Sequence, residues 1–97
     1  MHVEVRRYDI LDGQLDEFVE RWRLGVLPLR GEFGFTIVGA WAIPGTNEFV
    51  WVVGHDSEAS FADAEERYYS SPQRTSMSPN PAELIAVSRK SPARRVV

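Results

Sequence analysis

The sequence predicts a single α+β domain, in which a four-stranded antiparallel sheet carries two helices on one face. Three observations predict this class. Residues 2–10 alternate like a strand, residues 14–27 have apolar positions at helical spacing, and two β-rich runs at residues 35–43 and 48–55 flank a turn. At 97 residues the chain has the size of one domain, so residues 1–97 are taken as a single unit.

The first predicted strand has two different faces. Val3 and Val5 lie on one side, and Glu4, Arg6 and Tyr8 lie on the other. This is the period-two pattern of a strand. We expect the valine face to pack on a core and the opposite face to carry polar chemistry.

A helix is predicted next. Asp12 and Gly13 interrupt the strand, and Asp12 can cap the element that follows. The apolar residues of this helix lie three or four positions apart and form one stripe: Leu15, Phe18, Val19, Trp22 and Val26. Pro28 is expected to end the helix near residue 27, with residues 30–34 as the turn back. Trp22 is interpreted as a core residue because it lies on the stripe.

The two β-rich runs predict an antiparallel hairpin. Residues 35–43 and 48–55 are dense in residue types that favour strands, and the four residues between them have turn chemistry. Trp41 and Trp51 lie in these runs. Side chains alternate between the faces of a strand, and the register near strand ends leaves open whether these tryptophans face a ligand cavity or the core.

The rest of the chain predicts one more helix and one more strand. Residues 56–58 are a capping signal for the helix, and residues 70–72 end it. Residues 73–81 predict an irregular connection because prolines and small polar residues dominate there. Residues 84–88 predict the last strand, and its continuation past Pro92 is left open.

The order of these elements is strand, helix, strand, strand, helix, strand. In a chain of this size, that order indicates the ferredoxin-like βαββαβ fold with both helices on one face of the sheet. We expect the other face to be bare and to present Tyr8 with one or both sheet tryptophans. An apolar patch of this kind marks a partner or ligand surface. The simplest cover is a second copy of the chain, so a homodimer is predicted.

Composition excludes several classes of function. The chain has no cysteine, which excludes disulfides and thiolate chemistry and leads us to expect a reducing, cytoplasmic location. A net charge of −3 and a pI near 5.3 disfavour a nucleic-acid surface. No apolar window reaches the roughly 20 residues of a membrane span. No zinc spacing, phosphate loop or nucleophile elbow occurs, so we expect no metal and no cofactor.

Several motifs resemble a known family. Glu4, Arg6 and Tyr8 form a Glu-x-Arg-x-Tyr strand that precedes Gly13 and a helix. GFTIVGAW at residues 34–41 is similar to a second strand, and a turn with glycine and asparagine leads into an apolar third strand. In this order the motifs resemble the NIPSNAP family over nearly the whole chain.

The resemblance implies a dimeric α/β barrel, in which the sheets of two subunits close face to face around a cavity lined from both. It also implies relatives of diverse chemistry: cofactor-independent monooxygenases of aromatic polyketides, muconolactone isomerases and haem-handling proteins. Fold alone does not choose among these chemistries, because one architecture hosts unrelated reactions.

Three residues are predicted to be catalytic if the barrel is an enzyme. His55 would be the general base, because histidine is the residue type whose unperturbed pKa lies closest to neutral pH. Tyr8 would donate to a carbonyl oxygen, and Arg6 would anchor an anionic group. The alternatives are that His55 is a packing or surface residue and that Arg6 pairs with charged neighbours on adjacent strands. A haem-ligand role for His55 has little support because no Cys-His motif accompanies it.

Three further residues are predicted to bind the substrate. Glu4 shares the strand face of Arg6, and Trp41 and Trp51 would form flat walls for an aromatic ligand. The predicted function is therefore a homodimeric barrel that binds a small apolar or aromatic molecule.

Two forms of this function stay open. The barrel is either a cofactor-independent enzyme of monooxygenase or isomerase type, or a non-catalytic module for ligand binding or dimerisation. Single-stranded RNA binding on the bare sheet is disfavoured, because the chain is acidic and its third strand lacks the basic and aromatic pattern of RNA-binding sheets.

Overall fold

The computed structural model describes residues 1–97. It contains one antiparallel sheet with the strand order β2-β3-β1-β4. The strands are β1 (His2–Ile10), β2 (Thr36–Ile43), β3 (Glu48–His55) and β4 (Ile85–Ala93). The helices are α1 (Leu15–Arg21), a π-helical turn (Trp22–Val26), α2 (Leu27–Glu32), α3 (Glu58–Ser70) and α4 (Pro72–Thr75), with 3-10 turns at Pro44–Thr46 and Pro81–Leu84. None of the helices combines the length and the apolar composition that a bilayer span requires.

This topology confirms the predicted ferredoxin-like fold, because β1 and β3 are central and the helices cover one face of the sheet. The core lies between that face and the helices. Phe49, Trp51 and Val53 of β3 are fully enclosed there and pack against aromatic residues of the first helix. We call the uncovered side of the sheet the open face.

The first helical region differs from the prediction at its end. It does not stop at Pro28 but continues through the π-helical turn into α2, which ends at Glu32. Pro28 lies in the first turn of α2, where a missing backbone N–H costs little and the fixed φ of proline suits a helix. As a result Arg30 is helical and buried, although the sequence had suggested a turn there.

The second helical region follows the prediction. Ser57 caps α3: its hydroxyl accepts from the backbone N–H of Ser60 at 3.0 Å, and the Ser60 hydroxyl accepts from the Ser57 N–H at 2.9 Å. The helix ends at Ser70, just before Pro72. The last strand is longer than residues 84–88 and runs past the proline that was left open.

The predicted orientation of β1 is wrong. Arg6 and Tyr8 face the helices, with 0% and 6% of their surface exposed, while Val3 and Val5 lie on the open face. Alternation along a strand fixes which residues share a face, but it does not fix which face the helices cover. Burying an arginine in a core is costly unless its charge is paired. In the structure, carboxylates offset that cost.

The two sheet tryptophans lie on opposite faces. Trp51 is 1% exposed and points into the core, whereas Trp41 is 55% exposed on the open face. The pairing of β2 with β3 explains the split, because Ala40 lies opposite Trp51 and Trp41 lies opposite Val50. The Trp41 ring covers Gly39 on the open face: a Cβ added at Gly39 would lie 2.5 Å from it.

Asn47 closes the β2–β3 hairpin and provides a test of the fold. It has a left-handed φ of 56°, and its side-chain amide donates to the carbonyls of Ile10 and Leu11. Asn47→Ala should lower the free energy of unfolding by about 2 kcal/mol, since it loses the hydrogen bonds and strains the backbone. Asn47→Gly should cost about half as much, because glycine adopts positive φ freely. Urea denaturation measures both, and equal losses would contradict the backbone contribution.

Candidate functional site

A cavity of about 340 Å³ lies inside the subunit, between the sheet and the helices. It exists because the helices leave β4 uncovered on this side of the sheet. Ser88 and Lys90, which lie opposite Tyr8 and Arg6 on the neighbouring strand, are exposed. The cavity therefore opens along β4, and its inner end reaches the buried aromatic residues of the core.

Aromatic side chains form the inner end of the cavity. Trp22 packs edge to face against Trp51 with their ring centroids 5.4 Å apart, and Phe18 packs edge to face against Tyr8 at 5.8 Å. Trp22 lies at the start of the π-helical turn, a distortion that is frequent at functional sites. The walls suit a flat apolar group.

Four residues that line the cavity each have a buried polar atom without a hydrogen-bond partner in the protein. These atoms are Nε1 of Trp22, Nε1 of Trp51, Nε of Arg30 and the hydroxyl of Tyr68. Most buried polar groups in proteins are paired, so four such atoms around one cavity require an explanation. Each of these atoms has almost no accessible surface, so a ligand contacts it only after the surrounding side chains move. Indole and guanidinium N–H groups only donate, so a ligand that reached them would have to supply hydrogen-bond acceptors.

A buried ion network supports the cavity from behind. Arg6 on β1 and Arg30 on α2 both donate to the carboxylate of Glu65 on α3. Arg6 also donates to Glu4 through Nη2 at 3.0 Å and through Nε at 3.3 Å. Both guanidinium groups lie about equally far from Trp51, at 5.5 and 5.4 Å from its ring centroid. The network thus joins the sheet to two helices around the inner tryptophan.

The network also sets the charge of Glu65. Burial alone would raise the pKa of this carboxyl, but Arg30 and Arg6 outweigh burial and hold the pKa below its ordinary value of 4.5. Conversely, burial is the main cause that raises the pKa of Tyr8 and of Tyr68 above the ordinary value of 10. Both phenols therefore keep their protons at neutral pH and can donate to a ligand.

The mouth of the cavity, at its exposed end, is formed around Tyr69. The Tyr69 hydroxyl accepts from Nη2 of Arg30 at 3.2 Å. Two more cations lie near the ring, with the Arg74 guanidinium 5.7 Å and the Lys90 ammonium 5.5 Å from its centroid. All four residues line the cavity. Positive charge is therefore concentrated at the mouth, close to a partly exposed aromatic ring.

The residues predicted to form the site are not all brought together. Tyr8 and Trp51 line the cavity, whereas Arg6 and Glu4 lie in the ion network and do not line it. Trp41 is on the other side of the sheet. The predicted cavity between two sheets thus does not contain the row Glu4, Arg6 and Tyr8, because that row faces the chain's own helices.

His55 lies away from this cavity. Its Nδ1 is 2.7 Å from the Ser60 hydroxyl, and its Nε2 is 3.3 Å from the carbonyl oxygen of Phe33. Its ring packs edge to face against Phe35 at 5.2 Å. The convergence of His55, Tyr8 and Arg6 on one void, which the catalytic hypothesis requires, is therefore not found. The roles of the individual residues stay predictions.

Sequence reasoning missed several residues of the cavity. The sequence predicts Arg30 in the turn after the first helix, and it gives no site role to Arg74 or Lys90. A signal for Arg30 exists, because it follows Trp22 and Val26 at intervals of four and so continues the apolar stripe of the helix. Because Pro28 predicts the end of the helix, the helical spacing of Arg30 beyond it is easily overlooked.

Glu65→Gln tests the ion network through its dependence on pH. The pKa of Glu65 is lower in the folded protein than in the unfolded chain, so its stabilising effect is present above about pH 4.5 and is lost as the pH falls below that value. At neutral pH the substitution should lower the free energy of unfolding by about 3 kcal/mol, because two buried guanidinium groups lose their shared partner.

The pH dependence of the Glu65→Gln variant can be compared with that of a matched control variant. The difference in unfolding free energy between wild type and Glu65→Gln should narrow as the pH falls below about 4.5, measured by urea denaturation at several pH values. Glu66→Gln removes an exposed carboxylate on the same helix and should show little difference at any pH. A difference for Glu65→Gln that stays constant to low pH would contradict the role of its charge.

Comparison with known proteins gives one family and one fold. The NIPSNAP family profile matches residues 3–94. A search of curated proteins found no match. An uncharacterized NIPSNAP domain protein from Burkholderia xenovorans is 21% identical, with a TM-score of 0.87, over 99% of this chain and 95% of its own. A NIPSNAP family protein from Agrobacterium tumefaciens is 16% identical, with a TM-score of 0.88, over 98% and 92%.

A third similar structure is not described as a NIPSNAP protein. An antibiotic biosynthesis monooxygenase is 14% identical, with a TM-score of 0.72, over 100% of both chains. At this identity the likeness concerns the fold alone. The match of the family profile covers almost the entire chain, including the strand with Glu4, Arg6 and Tyr8 that first indicated the resemblance. This chain therefore belongs to the NIPSNAP family.

Proposed function

We propose that each subunit binds a small aromatic molecule in the cavity between its sheet and its helices. The observation that carries this proposal is the coincidence of aromatic walls with donor-bearing tyrosine, arginine and lysine side chains around one space. A volume of about 340 Å³ is at the lower end of the range for small-molecule sites. A planar ligand with oxygen acceptors would pack against the aromatic walls and accept hydrogen bonds from the tyrosine, arginine and lysine side chains of the lining.

The lining residues favour binding over proton abstraction. The titratable side chains around the cavity are tyrosines, arginines and one lysine, residue types whose ordinary pKa values lie well above 7. They can stabilise negative charge on a ligand oxygen, but a general base works best when its pKa is near the operating pH. We therefore put ligand binding first.

Oxygenation without a cofactor is a second candidate. The fold of the antibiotic biosynthesis monooxygenase and the donors around the cavity favour it. It would need a substrate that is already ionised or ionises readily, since the lining offers donors to hold an oxyanion. A role for His55 as base would need a ligand outside this cavity, near Ser60 and Phe33.

We also propose that two copies pair through their open faces. Trp41, Val38 and Val87 are 55%, 49% and 44% exposed on this side of the sheet, and the partly buried Val5 and its neighbours on β3 lie between them. An exposed apolar sheet face with a large aromatic residue marks a contact surface. The resemblance to the NIPSNAP family implies a dimeric α/β barrel, which supports a second copy as the occupant.

The charges on the open face are compatible with self-association. Arg7 pairs with Glu48 at 3.1 Å, and Arg89 pairs with Asp9 at 3.1 Å. A face whose charges are paired in this way does not repel its own copy. The cavity lies on the other side of the sheet, so ligand binding and pairing use separate surfaces.

Ala86→Phe tests the location of the ligand site. Ala86 lines the cavity on β4, and a phenyl ring there should occupy part of the space. Wild type should bind 1-naphthamide, and Ala86→Phe should weaken that binding by roughly tenfold or more. Isothermal titration calorimetry measures the affinities. Ala59→Phe adds the same ring to an exposed position of α3 and should bind as wild type does. Equal affinities for both variants would place the site elsewhere.

Trp41→Glu tests the pairing of open faces. A charge in place of the largest apolar residue of the patch should convert the dimer to a monomer, because it would have to be desolvated in the interface. Sedimentation velocity at micromolar concentration gives the mass, and circular dichroism should be unchanged. Leu24→Glu alters an exposed apolar residue of the π-helical turn, away from the sheet, and should stay dimeric. A dimeric Trp41→Glu variant, or a monomeric wild type, would refute this interface.

A further inference from the structure

We infer that the ligand of this cavity is an anion, specifically an aromatic carboxylate whose ring lies at the inner end and whose carboxylate lies at the mouth. This inference rests on the proposed binding function and adds the charge of the ligand and its direction. Its basis is the distribution of charged side chains around the cavity.

The charge of the lining is opposite in sign to the charge of the protein. The chain has a formal net charge of −3. The charged residues that line the cavity are nevertheless all cationic: Arg30, Arg74 and Lys90. Positive charges around one concave space raise the local potential, and low-dielectric walls concentrate the field there. The cavity is thus suited to an anion, although the protein as a whole is acidic.

Two of these three cations have no carboxylate partner. Arg30 is neutralised by Glu65 behind the cavity. Arg74 donates to the side-chain oxygen of Asn80 at 3.3 Å, and neither Arg74 nor Lys90 forms a salt bridge, unlike Arg6 and Arg7 on the sheet. The positive charge of Arg74 and Lys90 is therefore available to a ligand.

The geometry around Tyr69 gives the direction of the ligand. The guanidinium carbons of Arg30 and Arg74 and the ammonium nitrogen of Lys90 lie 5.3, 5.7 and 5.5 Å from the centroid of the Tyr69 ring. All three cations thus surround one residue at the mouth. The inner end is aromatic and almost fully enclosed, with Trp51 at 1% exposure. A molecule with an apolar ring and one charged end matches both ends.

A carboxylate is the chemistry that fits this mouth. Its two oxygens accept several hydrogen bonds at once, and arginine recognises it with two parallel N–H donors. Charge-assisted hydrogen bonds are about twice as strong as neutral ones. A neutral amide of the same shape could occupy the cavity but would not compensate the charges of Arg74 and Lys90.

The test compares two ligands of the same shape and different charge. 1-Naphthoate and 1-naphthamide are titrated by calorimetry into the wild-type protein, into Arg74→Gln/Lys90→Gln and into Arg94→Gln/Arg95→Gln. The second double variant removes the same charge from the exposed chain end. We expect wild type to bind naphthoate about tenfold more tightly than naphthamide. That ratio should fall to about one in Arg74→Gln/Lys90→Gln and stay unchanged in Arg94→Gln/Arg95→Gln.

Each other result overturns a defined statement. Equal binding of the two ligands by wild type would overturn the anion inference and leave the proposed aromatic site intact. Equal losses of naphthoate binding in both double variants would also overturn it, because the net charge and not the mouth would then be responsible. Binding of neither ligand would overturn the proposed function together with the inference.

Discussion

The burial of two arginines around one carboxylate is the interaction on which the rest of this structure depends. Arg6 belongs to the sheet, Arg30 to the first helical region and Glu65 to the second, so the network fixes the distance between all three parts. Such networks seldom add net stability compared with apolar residues, because desolvation offsets the attraction. Their effect is to fix the positions of the residues that they join. Here both guanidinium groups flank Trp51, and Arg30 stacks on Tyr68 at 3.9 Å, so two residues with unpartnered polar atoms are held in place.

The sheet divides the molecule into two surfaces with different properties. On the helix side, the core is complete over β3 and incomplete over β4, and this difference produces the cavity. On the open face, Trp41 and valines form an apolar patch bordered by ion pairs. Trp41 and Trp51 both lie in β-rich runs, but side chains alternate between the two faces of a strand. Trp51 therefore lies in the core, and Trp41 lies on the open face. The proposed pairing and the proposed ligand binding therefore use separate surfaces, which makes them separable by experiment.

Much of the fold could be predicted from the sequence, because alternation, helical spacing, the Ser57 cap and the turn before β3 are local signals. The face that the helices cover could not, since it depends on partners far apart in the chain. Glu65 is 59 residues from Arg6, and although Glu4 is a nearby carboxylate, it does not indicate that a helix supplies a second partner inside the core. The cavity could not be predicted from the sequence for a related reason. The local rule that proline ends a helix applied to Pro28, but the π-helical turn places that residue where proline is tolerated.

The reactions that the cavity could support depend on whether the protein or the ligand supplies the proton of each hydrogen bond between them. Burial keeps the phenols of Tyr8 and Tyr68 protonated, and the indole and guanidinium groups around them donate as well. A ligand held by such a lining must bring the hydrogen-bond acceptors, and any negative charge must reside on the ligand. In a reaction that began with loss of a proton from the substrate, the lining would stabilise the product of that loss without performing it. Binding of a ready-made anion needs no such step, so it is the simpler use of the same residues.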